Sequence, residues 1–189
     1  MRMQRTLTPF VAAAALALAS VAGAQAPAKP ETSKSDAKGS LAGADRKFVL
    51  EAARGNMTEV ELGKLASERA SSDAVKQFGQ RMATDHGKAY DELKDLAQQK
   101  GLALPADLDP KHRQLQERLS KLSGAAFDRA YVEEMVKDHR KDVSEFRREA
   151  AQARDADLKA WAGKTLPTIE DHFKQVQQLQ AQVKGRAAR

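Results

Sequence analysis

Three histidines carry the strongest chemical signal in this sequence: His86, His139 and His172. Each interrupts an apolar run that recurs every three or four residues. Val132, Met135, His139, Val143, Phe146, Ala150 and Ala153 share one helical face, with His139 at its centre. His86 holds the same place among Val75, Met82, Ala89 and Leu93, and His172 among Leu158, Ala162, Leu166, Ile169, Val176 and Leu179. An imidazole on a core-facing stripe is costly to bury unless it is hydrogen-bonded or ligates something. Glu59 lies on a fourth stripe, with Phe48, Ala52, Leu62 and Ala66. Three imidazoles and this carboxylate would form a four-ligand site for one transition-metal ion: zinc, copper, iron or manganese. The plainer reading of Glu59 is a carboxylate at the stripe's edge, or one paired with a neighbouring arginine.

Each histidine directly follows an aspartate: Asp85, Asp138 and Asp171. Neighbours on a helix point about 100° apart, so an aspartate cannot orient its own ring. It can accept a hydrogen bond from the histidine of an adjacent helix, the usual outer arrangement at metal sites. Buried Asp–His pairs also occur as metal-free networks that fix helix register. Met82 and Met135 precede His86 and His139 by one turn. Thioether with imidazole suits copper, but methionine is also a common core filler. The residues three before the histidines are Ala83, Val136 and Ile169, so the Glu-x-x-His pairs of two-iron oxidase bundles are missing. There is no cysteine, which excludes disulfides, thiolate chemistry and Cys-based zinc or iron–sulfur sites. No nucleophile–base pair, Gly-rich phosphate loop or nucleotide motif is present, so nothing argues for an enzyme. His112 has no stripe context and is assigned no role.

The elements that must position these groups are helices. An Ala-, Leu-, Gln-, Lys- and Glu-rich composition with few aromatics favours an all-α chain. Helix A is expected over about 44–70. Ser71-Ser72-Asp73 serves as the cap between it and helix B, which runs to about Lys100 and stops at Gly101. A short helix over 111–122 follows, then C over about 125–153 and D from the Arg154–Asp157 turn to about Lys184. Pro167 should kink D one turn before His172. The connections are short, long and short. The two dozen residues between B and C exceed the loop that joins adjacent antiparallel helices, so they form a crossover and leave B and C parallel. The fold class is therefore all-α, a ferritin-like four-helix bundle. At about 1.5 Å per residue, His86 and His139 lie about 20 Å into their helices, His172 about 18 Å from the end of D and Glu59 about 16 Å from the end of A, which puts all four in one layer.

Met1 to Ala24 reads as a secretory leader: Arg2 and Arg5, an apolar run from Phe10 to Ala19, then Ala22-Gly23-Ala24 as a cleavage pattern. The run falls short of the ~20 residues of a membrane span. Residues 25–43, rich in Ala, Pro, Lys, Ser and Gly, form a flexible tether before a domain over 44–184, and 185–189 form a disordered tail. A periplasmic or secreted protein with no transmembrane segment after leader removal is expected. The net charge of +6 is spread over helix faces of alternating sign, without a basic patch interleaved with aromatics, so nucleic acid is not an expected partner. The chain does not name a protein partner.

The segments 78–86 (Phe-Gly-Gln-Arg-Met-Ala-Thr-Asp-His), 123–139 (Ser-Gly-Ala-Ala-Phe-Asp-Arg-Ala-Tyr-Val-Glu-Glu-Met-Val-Lys-Asp-His) and 166–172 (Leu-Pro-Thr-Ile-Glu-Asp-His), with Asn-Met-Thr-Glu-Val-Glu-Leu-Gly at 56–63, resemble the exported bacterial family called domain of unknown function 4142. The resemblance spans Asp45 to Val183 and implies a ferritin-like fold and export, but no activity. Two functions stand open on the sequence. One is an exported metal-binding bundle for storage, buffering or sensing. The other is a metal-free structural or interaction module of the cell envelope, linked to stress.

Overall fold

The computed structural model describes residues 40–187; the leader, most of the tether and the last two residues lie outside them. Five helices follow in order: α1 (Gly43–Arg69), α2 (Asp73–Gln99), α3 (Pro110–Ser120), α4 (Gly124–Gln152) and α5 (Ala156–Ala187). No strand occurs among the described residues. The fold is the all-α, ferritin-like bundle, with α1, α2, α4 and α5 as its long helices and α3 inside the crossover.

The helix ends follow from local chemistry in two places. Gly101 takes φ +64°, and the amide of Leu102 donates to the carbonyl of Ala97 at 2.8 Å, the Schellman closure that lets α2 stop. Asp109 caps α3 by accepting from the His112 amide at 3.0 Å, and Pro110 starts the helix where no amide is needed. Ser72 departs from expectation, because it makes no side-chain cap. The carboxylate of Asp128, at the start of α4, accepts from the amides of Ser71 (2.9 Å) and Ser72 (3.0 Å) and from the Ser71 hydroxyl (2.6 Å). Asp45, at the start of α1, does the same for the α4–α5 turn, accepting from the amides of Arg154 (3.0 Å) and Asp155 (2.8 Å).

These two crossed caps fix the topology. The start of α4 meets the start of α2, so the two are parallel; the start of α1 meets the end of α4, so those are antiparallel. Lys100 adds ion pairs to Asp155 (2.7 Å) and Asp157 (2.6 Å), tying the end of α2 to the start of α5. Around the bundle α1 packs on α2, α2 on α5, α5 on α4 and α4 on α1. The parallel helices α2 and α4 therefore face each other across the axis.

The core is divided. One apolar cluster gathers Leu62, Phe78, Met82, Phe127, Tyr131, Met135 and Val176, with Leu119 of α3 added. The other gathers Phe48, Leu93, Phe146, Leu158 and Trp161, and Leu41 before α1 packs into it. Between the clusters every long helix contributes a buried polar residue: Asn56 and Glu59, His86, His139, His172, with Val143 and Ile169 as apolar neighbours. Pro167 lies within α5, which continues as one helix to Ala187.

The seam of α1 on α2 is unusually close. A Cβ added at Gly63 would stand 2.4 Å from the carbonyl oxygen of Gly79, and one at Gly79 would stand 2.7 Å from that of Gly63. Only glycine permits this approach. It brings Asn56, two turns along α1, up to His86, two turns along α2.

Candidate metal centre

His86 of α2, His139 of α4 and His172 of α5 meet in the polar layer, all buried. One ring nitrogen from each lies within 4.8 Å of the others. The ring centroids are 5.3–5.6 Å apart, with Phe78 against His139 and His172 as the apolar floor.

The hydrogen bonds decide which nitrogens carry protons. His139 Nδ1–H donates to the Met135 carbonyl at 3.0 Å, since a carbonyl only accepts. Asn56 Nδ2 donates to the Ala52 carbonyl at 2.9 Å, which turns its Oδ1 toward His86 Nδ1–H, also at 2.9 Å. His172 Nε2–H donates to Asp85 Oδ2 at 2.8 Å. The remaining nitrogens, His86 Nε2, His139 Nε2 and His172 Nδ1, are buried and have no partner. Each ring is thus held by an acceptor on one nitrogen and offers a lone pair on the other, the arrangement of imidazole ligands at metal sites. Leaving a buried polar atom unsatisfied costs about 1–3 kcal/mol, so three at one place form a concentrated cost.

Charge favours the same state. Burial pushes His139 down to about 3, with repulsion from His172 adding to it. Burial and the other two rings hold His86 well below its ordinary value. Burial also lowers His172, against the hydrogen bond to Asp85 that would raise it. Burial pushes the Asp85 carboxyl up, but the bonds from His172 and Arg81 outweigh that and hold it below its usual value. The rings are neutral at neutral pH, the form that binds metal.

A prediction with a definite sign follows for the metal-free protein. An imidazole with a depressed folded pKa contributes stability above the unfolded value near 6.5, and that contribution is lost as pH falls toward about 3. His139→Leu removes the term. Wild type should therefore lose stability relative to His139→Leu by up to about 1.4 kcal/mol per pH unit below about 6.5. Glu59 and Asp142 act in the opposite sense, because burial raises both (Asp142 to about 7), but they are common to the two proteins. Urea midpoints of chelator-treated protein, from neutral pH to about pH 5, measure the difference; parallel curves would count against buried neutral rings.

The other residues singled out in the sequence occupy distinct places. Glu59 is buried, with Oε1 3.7 Å from His139 Nδ1, the nitrogen already committed to Met135. It flanks the cluster rather than facing the three lone pairs, and its Oε2 has no partner. Asp85 reaches an imidazole of another helix. Asp171 does not: it pairs with Arg81 Nη1 at 2.7 Å, and Arg81 Nε in turn contacts Asp85 Oδ2 at 3.1 Å. Asp138 contacts no imidazole and lines a cavity between α1 and α4. Asn56, Arg81 and the Met135 carbonyl complete the setting. The sequence carries no signal for these roles; Met135 draws notice there only for its thioether.

A ferritin-like four-helix bundle with a buried triad of imidazoles is the class of protein that this fold and site define. The chain belongs to the family described as Domain of unknown function (DUF4142), which it matches over residues 28–179. No curated protein matches it. Among solved structures it is similar to a DUF305 fragment from Deinococcus radiodurans, at TM-score 0.66 and 13% identity, over 76% of this chain and 99% of that one. It is also similar to a DUF305 protein from Streptomyces coelicolor, at TM-score 0.64 and 15% identity, over 75% of this chain and 92% of that one. At these identities the likeness concerns the fold alone. No helix among the described residues is long and apolar enough to cross a membrane.

Proposed function

We propose that this protein is an exported transition-metal-binding bundle, holding one ion on Nε2 of His86, Nε2 of His139 and Nδ1 of His172, for storage, buffering or sensing. The observation that carries the reading is the set of three unpartnered nitrogens: every ring gives one N–H to a fixed acceptor and leaves its other nitrogen buried without a partner. Nitrogens on one tetrahedral ion stand roughly 3.4 Å apart, given metal–nitrogen bonds of about 2.0–2.1 Å. The 4.8 Å limit on the present group needs only a modest inward turn of the rings. Imidazole donors suit zinc, copper and iron better than manganese. Burial favours the neutral form of Glu59 in the metal-free protein, and a cation on the three rings would favour its ionised form and so be balanced by it. Export rests on the Met1–Ala24 leader.

A ligand that binds only the folded state stabilises it by about 2.7 kcal/mol at a hundredfold excess over its dissociation constant. At about 2–4 °C per kcal/mol, the melting temperature of chelator-treated protein should rise by roughly 5–10 °C with the preferred metal. Melting with zinc, copper, iron and manganese in turn tests this. If none of them shifts the transition, the reading fails.

A further inference from the structure

A cavity of about 430 Å³ opens between α1 and α4, beneath the start of α3, and His86 forms part of its inner wall. Its charges are layered. At the rim Lys47 pairs with Glu51 (3.9 Å), Arg54 with Asp109 (3.9 Å) and Lys141 with Glu145 (3.1 Å), and Lys111 stands beside them. Further in stand Glu59, Asp138 and Asp142, and none of these three has a lysine or arginine partner within 4.0 Å among the described residues. Glu59 is 3% exposed, and its Oε2 is unpartnered. His86 Nε2, on the same wall, is unpartnered as well.

The bundle's internal repetition accounts for the pairing of these acids. Glu59 stands as far along α1 from the capping Asp45 as Asp142 stands along α4 from the capping Asp128. The two antiparallel helices thus present equivalent carboxylates to the groove between them. The four cations of the lining, Lys47, Arg54, Lys111 and Lys141, make no ion pair with Glu59, Asp138 or Asp142.

We propose that this cleft is the route by which a transition-metal cation reaches the three imidazoles, with Asp142, Asp138 and Glu59 as a transit site that passes it inward to His86. The inference rests on the metal-binding reading. Carboxylates outnumber lysines and arginines in the lining, and an excess of one sign of charge in a cleft raises on-rates by about 10–10³, with a steep dependence on ionic strength. Carboxylate oxygens bind a hydrated cation more weakly than imidazole binds a borderline ion, so they release it to the nitrogens.

The test is cobalt(II) uptake by the metal-free full chain, followed by stopped-flow absorbance. Asp142→Asn and Glu59→Gln should each slow uptake by about tenfold or more and flatten its salt dependence. Gly55→Trp tests the route independently of charge. A side chain added at Gly55 meets nothing within 4 Å and projects from the cavity wall, so it should obstruct entry and slow uptake too. Glu170→Gln, which breaks an exposed pair with Arg147 between α4 and α5, should leave the rate unchanged. Wild-type uptake rates in Asp142→Asn and Gly55→Trp, with cobalt still bound, would overturn the route and leave the imidazole site standing. A wild-type protein that takes up no cobalt overturns both.

Discussion

Gly63→Ala should destabilise the bundle by about 3 kcal/mol, the upper part of the ordinary overpacking range, and lower its melting temperature by roughly 6–12 °C. The sign is the informative part. In an unobstructed helix, alanine is better than glycine by about 1 kcal/mol. At Gly63 the new methyl would meet the carbonyl oxygen of Gly79 at 2.4 Å and the amide nitrogen of Ala83 at 2.8 Å. Both are backbone atoms, so no rotamer change relieves the contact and α1 must move off α2. Gly55→Ala is the matched control on the same helix, because its Cβ meets nothing within 4 Å; it should be neutral or stabilising. The seam also carries Asn56 to His86, so Gly63→Ala should weaken metal binding although it lies outside the site. Stabilisation of both variants alike would refute the close-packed seam.

The long-range architecture was legible because it is written in one dimension. Apolar stripes of helical period gave the four long helices, and the lengths of the connections gave the crossover and hence parallel α2 and α4. The same periodicity put His86, His139 and His172 on inward faces. What the sequence withheld depends on contacts between distant residues. Asp128 and Asp45 cap turns 56 to 110 residues away in the chain, so local cap rules pointed instead to Ser71-Ser72-Asp73. The three Asp–His dipeptides look equivalent in sequence, yet only Asp85 meets an imidazole. Arg81 and the helix offsets send Asp171 toward solvent and Asp138 into the α1–α4 cleft. Asn56 resembles any polar residue at the edge of a stripe. Its role depends on the Gly63–Gly79 approach, and single glycines in a helix do not announce such a contact. Which ring nitrogen is free depends on acceptors that no local pattern specifies.

The central claim is that three buried imidazoles share one ion, and replacing any one of them tests it with the largest effect. An outer partner of a metal ligand is typically worth 10–100-fold in affinity. Losing the donor itself should therefore exceed that, and His139→Leu should bind at least about a thousandfold more weakly. Leucine is similar in volume and suits the apolar clusters on either side, so the variant should fold and show no loss of metal-free stability at neutral pH. Asp85→Asn and Asn56→Leu, which disturb only the acceptors, should fall within the smaller range. The most direct measurement is X-ray absorption, with metal analysis, on wild type and His139→Leu after loading and desalting. The account predicts one ion per chain in wild type, with imidazole scattering from three rings, and no retained ion in His139→Leu. Wild type that emerges without metal, or with an ion bound only by oxygen, would contradict it.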